Sequence, residues 1–333
     1  MNQTSSTRLE ESPLFKYCQA DLLDRTRLHR IPNLGQPQTP VWVKREDEAG
    51  FGISGCKKRK YASLIPYIQQ QGYEEVLMIG GAHSNHVVGF LQLILEKGWK
   101  PHLLLKQAHG AQNKGNGFLR NLLFPSDRVI WLTSRDWKRV HEIATIYAQQ
   151  QVGRVFVLPE GGNHPAAFPG AATLAWDILR NETEAGFKFD HIFIDAGSGF
   201  MAASLFLGLQ WLQHPAKVHI LLTAGTEQST SELIHDLHPY AKDILQEFDL
   251  MGEPQFHEPT TARAFGSINA TIKQEVVHIA RTHGILADPI YTAKLFYAVR
   301  KQIESGDITG KVLVIHSGGG TGLMGFDGNF LDI

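Results

Sequence analysis

Eight short β-rich runs recur along the chain: VWVK (41 to 44), EVLMIG (75 to 80), HLLL (102 to 105), RVIWL (128 to 132), RVFVL (154 to 158), HIFIDAG (191 to 197), VHILLTAG (218 to 225) and KVLVIHSG (311 to 318). Runs this apolar fit strands covered on both faces, as in parallel sheets. Between them stand amphipathic segments such as YASLIPYIQQQ, VVGFLQLILEKG, DWKRVHEIATIYAQQQ, TLAWDILRNE and TAKLFYAVRKQIESG. Each is long enough to be a crossover helix. This alternation predicts an α/β chain with doubly wound sheets. At 333 residues the chain has room for two domains. The stretch HEPTTARAFGSINAT (257 to 271) is the one extended segment without clear periodicity.

Charge removes several functional classes. Lys and Arg total 32 against 33 Asp and Glu, so no global basic field exists to gather nucleic acid or anionic lipid. The N-terminal MNQTSSTRLEESPLF lacks a basic region followed by an apolar core, and no apolar run is long enough to span a bilayer. The expected address is the cytoplasm, with no nucleic-acid and no membrane partner. Cys18 and Cys56 are too few for a disulfide framework and lack CxxC spacing. His83 and His86 share a helical spacing, but no third ligand stands nearby, so no metal is expected.

Ligands of open parallel sheets bind beyond the carboxyl ends of the strands. Three strand exits are glycine-rich or polar: GGAHSNH (80 to 86), DAGSGFMAA (195 to 203) and HSGGGTGL (316 to 323). Glycines let backbone N–H groups approach an anion, and a following helix adds its positive end. A phosphate suits such loops; so does a plain tight turn. The GSGFMA stretch is no dinucleotide fingerprint, because the third glycine of GxGxxG is missing. Ahead of these loops stands SGCKKRKY (54 to 61), four cations in a row that fit either a solvated helix face or a reactive amine.

The order KRED (44 to 47), SGCKKRKY, GGAHSNH, ADPIYTAK (287 to 294) and HSGGG resembles the pyridoxal phosphate enzymes of the 1-aminocyclopropane-1-carboxylate deaminase and D-cysteine desulfhydrase family. The resemblance runs from about residue 38 to the end. It implies a tryptophan synthase β-like architecture, fold type II, with two doubly wound domains and the cofactor between them. The expected division is a large domain of residues 1–60 and 166–333 and a smaller inserted domain of 61–165. Aligned on the family's Lys-x-Arg-Lys, Lys57 stands where the cofactor-holding lysine belongs, and Lys60 where a residue helps bind the cofactor phosphate. Such an amine must be partly neutral, and Lys58 and Arg59 are candidates for lowering its pKa. Ser84 and Asn85 match the family's Ser-Asn pair. That match implies that Asn85 meets the cofactor's phenolic oxygen and that Ser84 lies beside the substrate carbon; both are also good helix N-caps. His86 follows, as in desulfhydrases, and completes a substrate-binding group of Ser84, Asn85, His86 and Tyr291. Gly197, Ser198, Gly199, Phe200 and Met201 fall where the family cradles phosphate, Met201 replacing a usual threonine.

Within the family, Tyr291-Thr292 stands where the deaminases carry Tyr-Glu, and the second residue faces the pyridine nitrogen. A neutral Thr292 implies a weaker electron sink, enough for β-elimination. Ser317 stands where desulfhydrases place a hydroxyl. The catalytic set is therefore Lys57, Ser84 and Tyr291, with Thr292 and Ser317 on the cofactor. The expected reaction is α,β-elimination from a small D-amino acid such as D-cysteine, giving pyruvate, ammonia and sulfide. The alternatives are ring opening of 1-aminocyclopropane-1-carboxylate to 2-oxobutanoate and ammonia, and a catalytically altered cofactor-binding protein. Cys56 in place of asparagine and Phe265 in place of tyrosine depart from the family pattern. Relatives imply a homodimer.

Overall fold

The computed structural model describes residues 12–50, 55–108, 113–326 and 330. Ser54 of the cationic motif lies outside the described residues. Among the described residues, ten strands build two sheets. The larger holds β1 (Leu28–Gln36), β2 (Thr39–Lys44), β7 (His191–Ala196), β8 (Lys217–Leu222), β9 (Gln255–His257) and β10 (Val312–Ile315), in the order β1-β2-β10-β7-β8-β9. The smaller holds β3 (Glu75–Gly81), β4 (Lys100–Lys106), β5 (Ile130–Leu132) and β6 (Val155–Leu158), in the order β5-β4-β3-β6. All neighbours are parallel except β1 on β2.

All eight apolar runs are strands. The two strands not anticipated are β1 and β9. β1, LHRIPNLGQ, carries Pro32 and Gly35 and lies at a sheet edge, paired antiparallel with β2, where a missing N–H is tolerated. β9 has three residues, too few to show a period.

Helices cover both sheets: α1 (Lys57–Gln70), α2 (Asn85–Glu96), α3 (Gly115–Leu123), α4 (Ser134–Trp137), α5 (Val140–Gln149), α6 (Phe168–Ala185), α7 (Phe200–Trp211), α8 (Glu227–Leu245), α9 (Ala270–His283), α10 (Thr292–Ser305) and α11 (Gly320–Leu323). The main core joins α1, α2, α6 and α7 through Ile65, Phe90, Trp176 and Phe206. A second core seals the opposite face of the large sheet with Ile279 and Phe296 of α9 and α10. A third packs Ala144 of α5 on Leu77 and Leu104. The expected domain border between residues 60 and 61 falls inside α1, which is continuous there and packs on α6: a Cβ on Gly170 would sit 1.9 Å from the Arg59 carbonyl oxygen.

At the outer edge of the large sheet, His191, His219 and His257 line up across β7, β8 and β9. His191 Nδ1 lies 2.8 Å from His219 Nε2, and His219 Nδ1 lies 2.9 Å from His257 Nε2. His191 Nε2 meets the Thr309 carbonyl at 3.1 Å, and His257 Nδ1 meets the Gln302 amide at 3.3 Å.

Candidate active site

Strand exits from both sheets converge on the N-terminus of α1. The chain enters this helix through Gly55, whose φ of +90° and whose distance of 2.0 Å from a built Cβ to the Ser317 carbonyl oxygen admit only glycine. Cys56 N–H then donates to the same carbonyl at 2.9 Å. The first turn of α1 is thereby fastened to the exit of β10. Cys56 is buried, and desolvation pushes its thiol up to about 11, so it is an inert packing residue rather than a nucleophile.

Lys57 opens α1. Among the described residues its ammonium makes no hydrogen bond or ion pair; it faces the Tyr291 ring, 5.9 Å from the centroid. Lys60, one turn on, is 2% exposed, and its Nζ donates to the Gly161 carbonyl at 2.7 Å and lies 5.0 Å from the centre of the Phe200 ring. Burial first, and the neighbouring charge of Lys57 second, push Lys60 down to about 7. Lys58 and Arg59 do not form the expected perturbing pair for Lys57. Lys58 is bound to Asp24 at 2.7 Å, and Arg59 turns to the other side of the helix, 2.6 Å from Glu46 and 2.7 Å from Asp177. Their charges are neutralised away from the site.

At the exit of β3, Ser84 is the N-cap of α2 and accepts from Val87 N–H at 3.3 Å, which leaves its hydroxyl proton available. Asn85 Oδ1 accepts from Asn116 Nδ2 at 2.6 Å, so the Asn85 amide NH₂ is left as donor. His86 departs from its expected place against substrate. It is 1% exposed, its Nδ1 lies 3.1 Å from the Tyr61 hydroxyl, and its ring stacks on Phe90. Burial, with Lys60 and Lys57 nearby, holds it neutral, well below the usual imidazole range, while its Nε2 has no partner among the described residues.

At the exit of β7, residues 197–201 lead into α7, whose first amides point their donors toward the loop. Ser198 Oγ donates to Asn163 Oδ1 at 2.9 Å, and Asn163 Nδ2 donates to the Ser198 carbonyl at 3.3 Å. Gly161 touches Ser198 so closely that a Cβ would come within 2.4 Å of its hydroxyl. The loop Glu160-Gly161-Gly162-Asn163 thus closes the site from β6. It was missed by sequence reasoning, although its Gly-Gly at a strand exit is the same kind of signal as the other three. The Met201 side chain is buried in the main core and offers no hydroxyl.

The Tyr291-Thr292 pair opens α10. A Cβ on Gly197 would come within 3.1 Å of Tyr291 Cε1, so Tyr291 walls the side of the 197–201 loop. Its phenol is pushed above the usual range by burial and by Asp288, and stays protonated. Phe265 is 62% exposed, with its ring 6.1 Å from that of Tyr291, at the mouth of the site. Thr292 differs from expectation. It is fully buried, its hydroxyl donates to Asp288 Oδ2 at 2.9 Å and accepts from Asp288 N–H at 2.8 Å. A hydroxyl so engaged is not offered to a ring nitrogen; it locks the first turn of α10. Ser317, 6% exposed, instead approaches Asp195 at the end of β7. Burial raises the Asp195 carboxyl to about 6 against the stabilising Ser317 hydroxyl and Lys57 charge.

These residues fit a phosphate-bearing aldehyde cofactor. A partnerless amine, a buried lysine short of an anion, helix-terminal amides and orphaned polar atoms at His86 Nε2 and Asp195 Oδ1 face one region. A chain similar to this one, a putative 1-aminocyclopropane-1-carboxylate deaminase of Pyrococcus horikoshii, is 28% identical over 326 residues, covering 96% of this chain and 97% of its own. The bifunctional D-cysteine desulfhydrase/1-aminocyclopropane-1-carboxylate deaminase of Arabidopsis thaliana is 26% identical, covering 90% and 77%. The crystal structure of an ACC deaminase homologue superposes with a TM-score of 0.83 at 25% identity, covering 100% of this chain and 99% of that one. The likeness confirms the expected fold type II, tryptophan synthase β-like architecture. Residues 20–318 match the family model described as pyridoxal-phosphate dependent enzyme, and the chain belongs to that family, with pyridoxal phosphate as its cofactor.

Proposed function

We propose that the chain is a deaminating lyase that eliminates a β leaving group from a small amino acid, D-cysteine being the reference substrate, with pyruvate, ammonia and sulfide as products. The observation that carries this reading is the Lys57 ammonium, unpaired and set against Tyr291 where the strand exits converge. When bound, pyridoxal phosphate supplies an aldehyde that condenses with amines and a ring that accepts electrons. Lys57 Nζ would hold that aldehyde, and as a free amine it would be the base for the α-proton of the substrate. Lys60 Nζ and the amides of Gly197, Ser198, Gly199, Phe200 and Met201 hold the phosphate, whose charge answers the Lys60 ammonium. Asn85 donates its amide to the phenolic oxygen. Ser84 directs its free hydroxyl proton to the substrate carboxylate, and the protonated Tyr291 phenol closes the substrate side and excludes water. The mouth at Phe265 selects small substrates.

Ring opening of 1-aminocyclopropane-1-carboxylate is the second reading, and a specific observation favours it. Thr292 carries no charge, yet Asp195 places a buried carboxylate near Ser317. A panel assay on the cofactor-loaded protein separates the readings. Sulfide and pyruvate from D-cysteine, without 2-oxobutanoate from the cyclopropane substrate, are the expected result. The reverse pattern would transfer the chain to the deaminases, and a loaded protein inert on a broad panel of D- and L-amino acids would make it a cofactor-binding protein altered in catalysis. The smaller inserted unit, expected over 61–165, is proposed to be built around the four-stranded sheet within 75–158, with its start moved off residue 61, which lies inside α1. A cytoplasmic homodimer completes the proposal.

A further inference from the structure

The end of β7 beside Ser317 carries a carboxylate to which no role has yet been given. β7 reads HIFIDA and is buried at every position, so Asp195 is the single acid in an otherwise apolar or aromatic strand, 8% exposed. A carboxylate there lacks the solvation that would stabilise its charge, and buried acids are ordinarily paired or bonded on both oxygens. Asp195 is not: among the described residues its Oδ1 has no hydrogen-bond partner. Two groups modulate it favourably, the Ser317 hydroxyl and the Lys57 charge. The parallel register, with Val314 opposite Phe193, brings Ser317 alongside this strand end as β10 finishes. The other acid nearby, Asp288, is spoken for. Its Oδ1 accepts from Ile290 N–H at 2.9 Å and Tyr291 N–H at 3.0 Å, and its Oδ2 accepts from Thr292 N–H at 3.2 Å and the Thr292 hydroxyl at 2.9 Å.

We propose that Asp195 is a positioning residue for the cofactor's ring nitrogen: it takes the Ser317 hydroxyl proton as hydrogen-bond acceptor, so that Ser317 Oγ presents its lone pair to a protonated pyridine nitrogen. A serine hydroxyl has one proton and two acceptor sites. Left alone, it donates to an unprotonated ring nitrogen. With its proton engaged by a carboxylate it can only accept, and it then favours the protonated ring. No proton is transferred in this arrangement; three groups share two hydrogen bonds. The chain thus obtains from β7 the charge that Thr292 lacks, and the ring is a stronger electron sink than the Tyr291-Thr292 pair alone implies. This rests on the placement of the cofactor between Lys57 and Ser317.

The test uses binding rather than turnover. Apoprotein is titrated with pyridoxal phosphate and with its analogue in which the ring nitrogen is replaced by CH, in the wild type, in Asp195→Asn and in Ser317→Ala. Wild-type protein is expected to prefer the nitrogen-bearing ring by about tenfold or more, the value of one charge-assisted hydrogen bond. Asp195→Asn, nearly isosteric, is expected to lose most of that preference while still binding both ligands. An unchanged preference in Asp195→Asn overturns the proposal. Should that variant fail to fold, Ser317→Ala decides on the same ratio: a fall supports the proposal, and an unchanged ratio overturns it. Borohydride reduction of the loaded wild type keeps the two levels apart. Label on Lys57 with no nitrogen preference rejects Asp195 alone, whereas label elsewhere rejects the cofactor placement and the inference with it.

Discussion

Arg59 and Lys60 are neighbours in sequence, both buried, and treated in opposite ways. Arg59 enters a closed ionic cluster. Glu46 accepts from its Nε and Nη2 at 2.6 and 2.7 Å, and Asp177 accepts from Nη2 at 2.7 Å. Lys44 also binds Asp177 at 2.6 Å, donates to Asn181 at 2.6 Å and to the Thr26 carbonyl at 2.7 Å, and Arg180 pairs with Asp177 as well. Lys60, on the other side of α1, has one backbone carbonyl and, among the described residues, no counter-ion. Buried charge is tolerable when paired and costly when not. The comparison separates two jobs carried by one helix: the Arg59 side fixes where α1 lies, and the Lys60 side keeps an unmet demand for an anion.

The largest effect should come from breaking the Lys57 side. Lys57→Ala should lower turnover by about a thousandfold or more, since the covalent link and the α-proton base go together. It should leave the melting temperature of the apoprotein nearly unchanged, because among the described residues the ammonium has no hydrogen bond or ion pair to lose. Steady-state kinetics and calorimetry on the same preparation check both halves.

Breaking the Arg59 side should reverse that pattern. Arg59→Ala strands Glu46 and Asp177 in the interior, and chemical denaturation should report a loss of about 3–5 kcal/mol. Any surviving folded protein should still bind cofactor at Lys57. A variant as stable as wild type would show that the cluster does not hold α1.

Lys60→Met sharpens the contrast by sign. A lysine held at about 7 when folded, against 10.5 otherwise, is penalised most where it must carry charge. Over that window the unfolded chain binds the extra proton, so wild-type apoprotein stability rises with pH, and the full penalty is present below about 7. Apo Lys60→Met should therefore be more stable than wild type at pH 6, by roughly 1–4 kcal/mol, and the difference should shrink toward pH 10. The same variant should bind cofactor more weakly. A destabilised apo variant at pH 6 would show that Lys60 serves packing alone.

The smallest effect is expected at the mouth. Phe265→Tyr restores the hydroxyl usual in relatives on a ring that is 62% exposed. It should change KM for D-cysteine by no more than about threefold, since an exposed hydrogen bond contributes about 0.5 kcal/mol.

Much of this was legible in the chain itself. Buried parallel strands are continuous apolar runs, and α1, α2, α5, α6 and α10 carry clear amphipathic spacing. Helix α7, FMAASLFLGLQW, did not declare itself because it is apolar on nearly every side, and a buried helix loses the period that marks a half-exposed one. At the site, contiguous elements were readable: Lys57 to Lys60, Ser84-Asn85 and 197–201. What remained hidden was pairing across distance. Lys60 finds Gly161 across 101 positions and Arg59 finds Asp177 across 118. Local spacing carries no information about such partners, so the charges of Lys58 and Arg59 read as neighbours of Lys57 when tertiary contacts had already neutralised them. Asp195 was hidden for the opposite reason: in HIFIDAG it looks like the end of a strand, and only the missing partner on Oδ1 distinguishes it.

The file of imidazoles at the edge of the large sheet works like a row of dominoes. The Thr309 carbonyl can only accept, so His191 must carry its proton on Nε2; His219 must then donate from Nε2 and His257 from Nε2, which leaves His257 Nδ1 to receive the Gln302 amide. One carbonyl at one end and one amide at the other thus dictate the tautomer of every ring between them. An added proton has no vacancy: at His219 it would meet either a neighbour's N–H or a neighbour forced to flip. This agrees with burial and the flanking rings lowering His219 to about 3. The imidazole row across β7, β8 and β9 is therefore neutral by logic as well as by burial, and acid must undo the whole row before it can charge the centre.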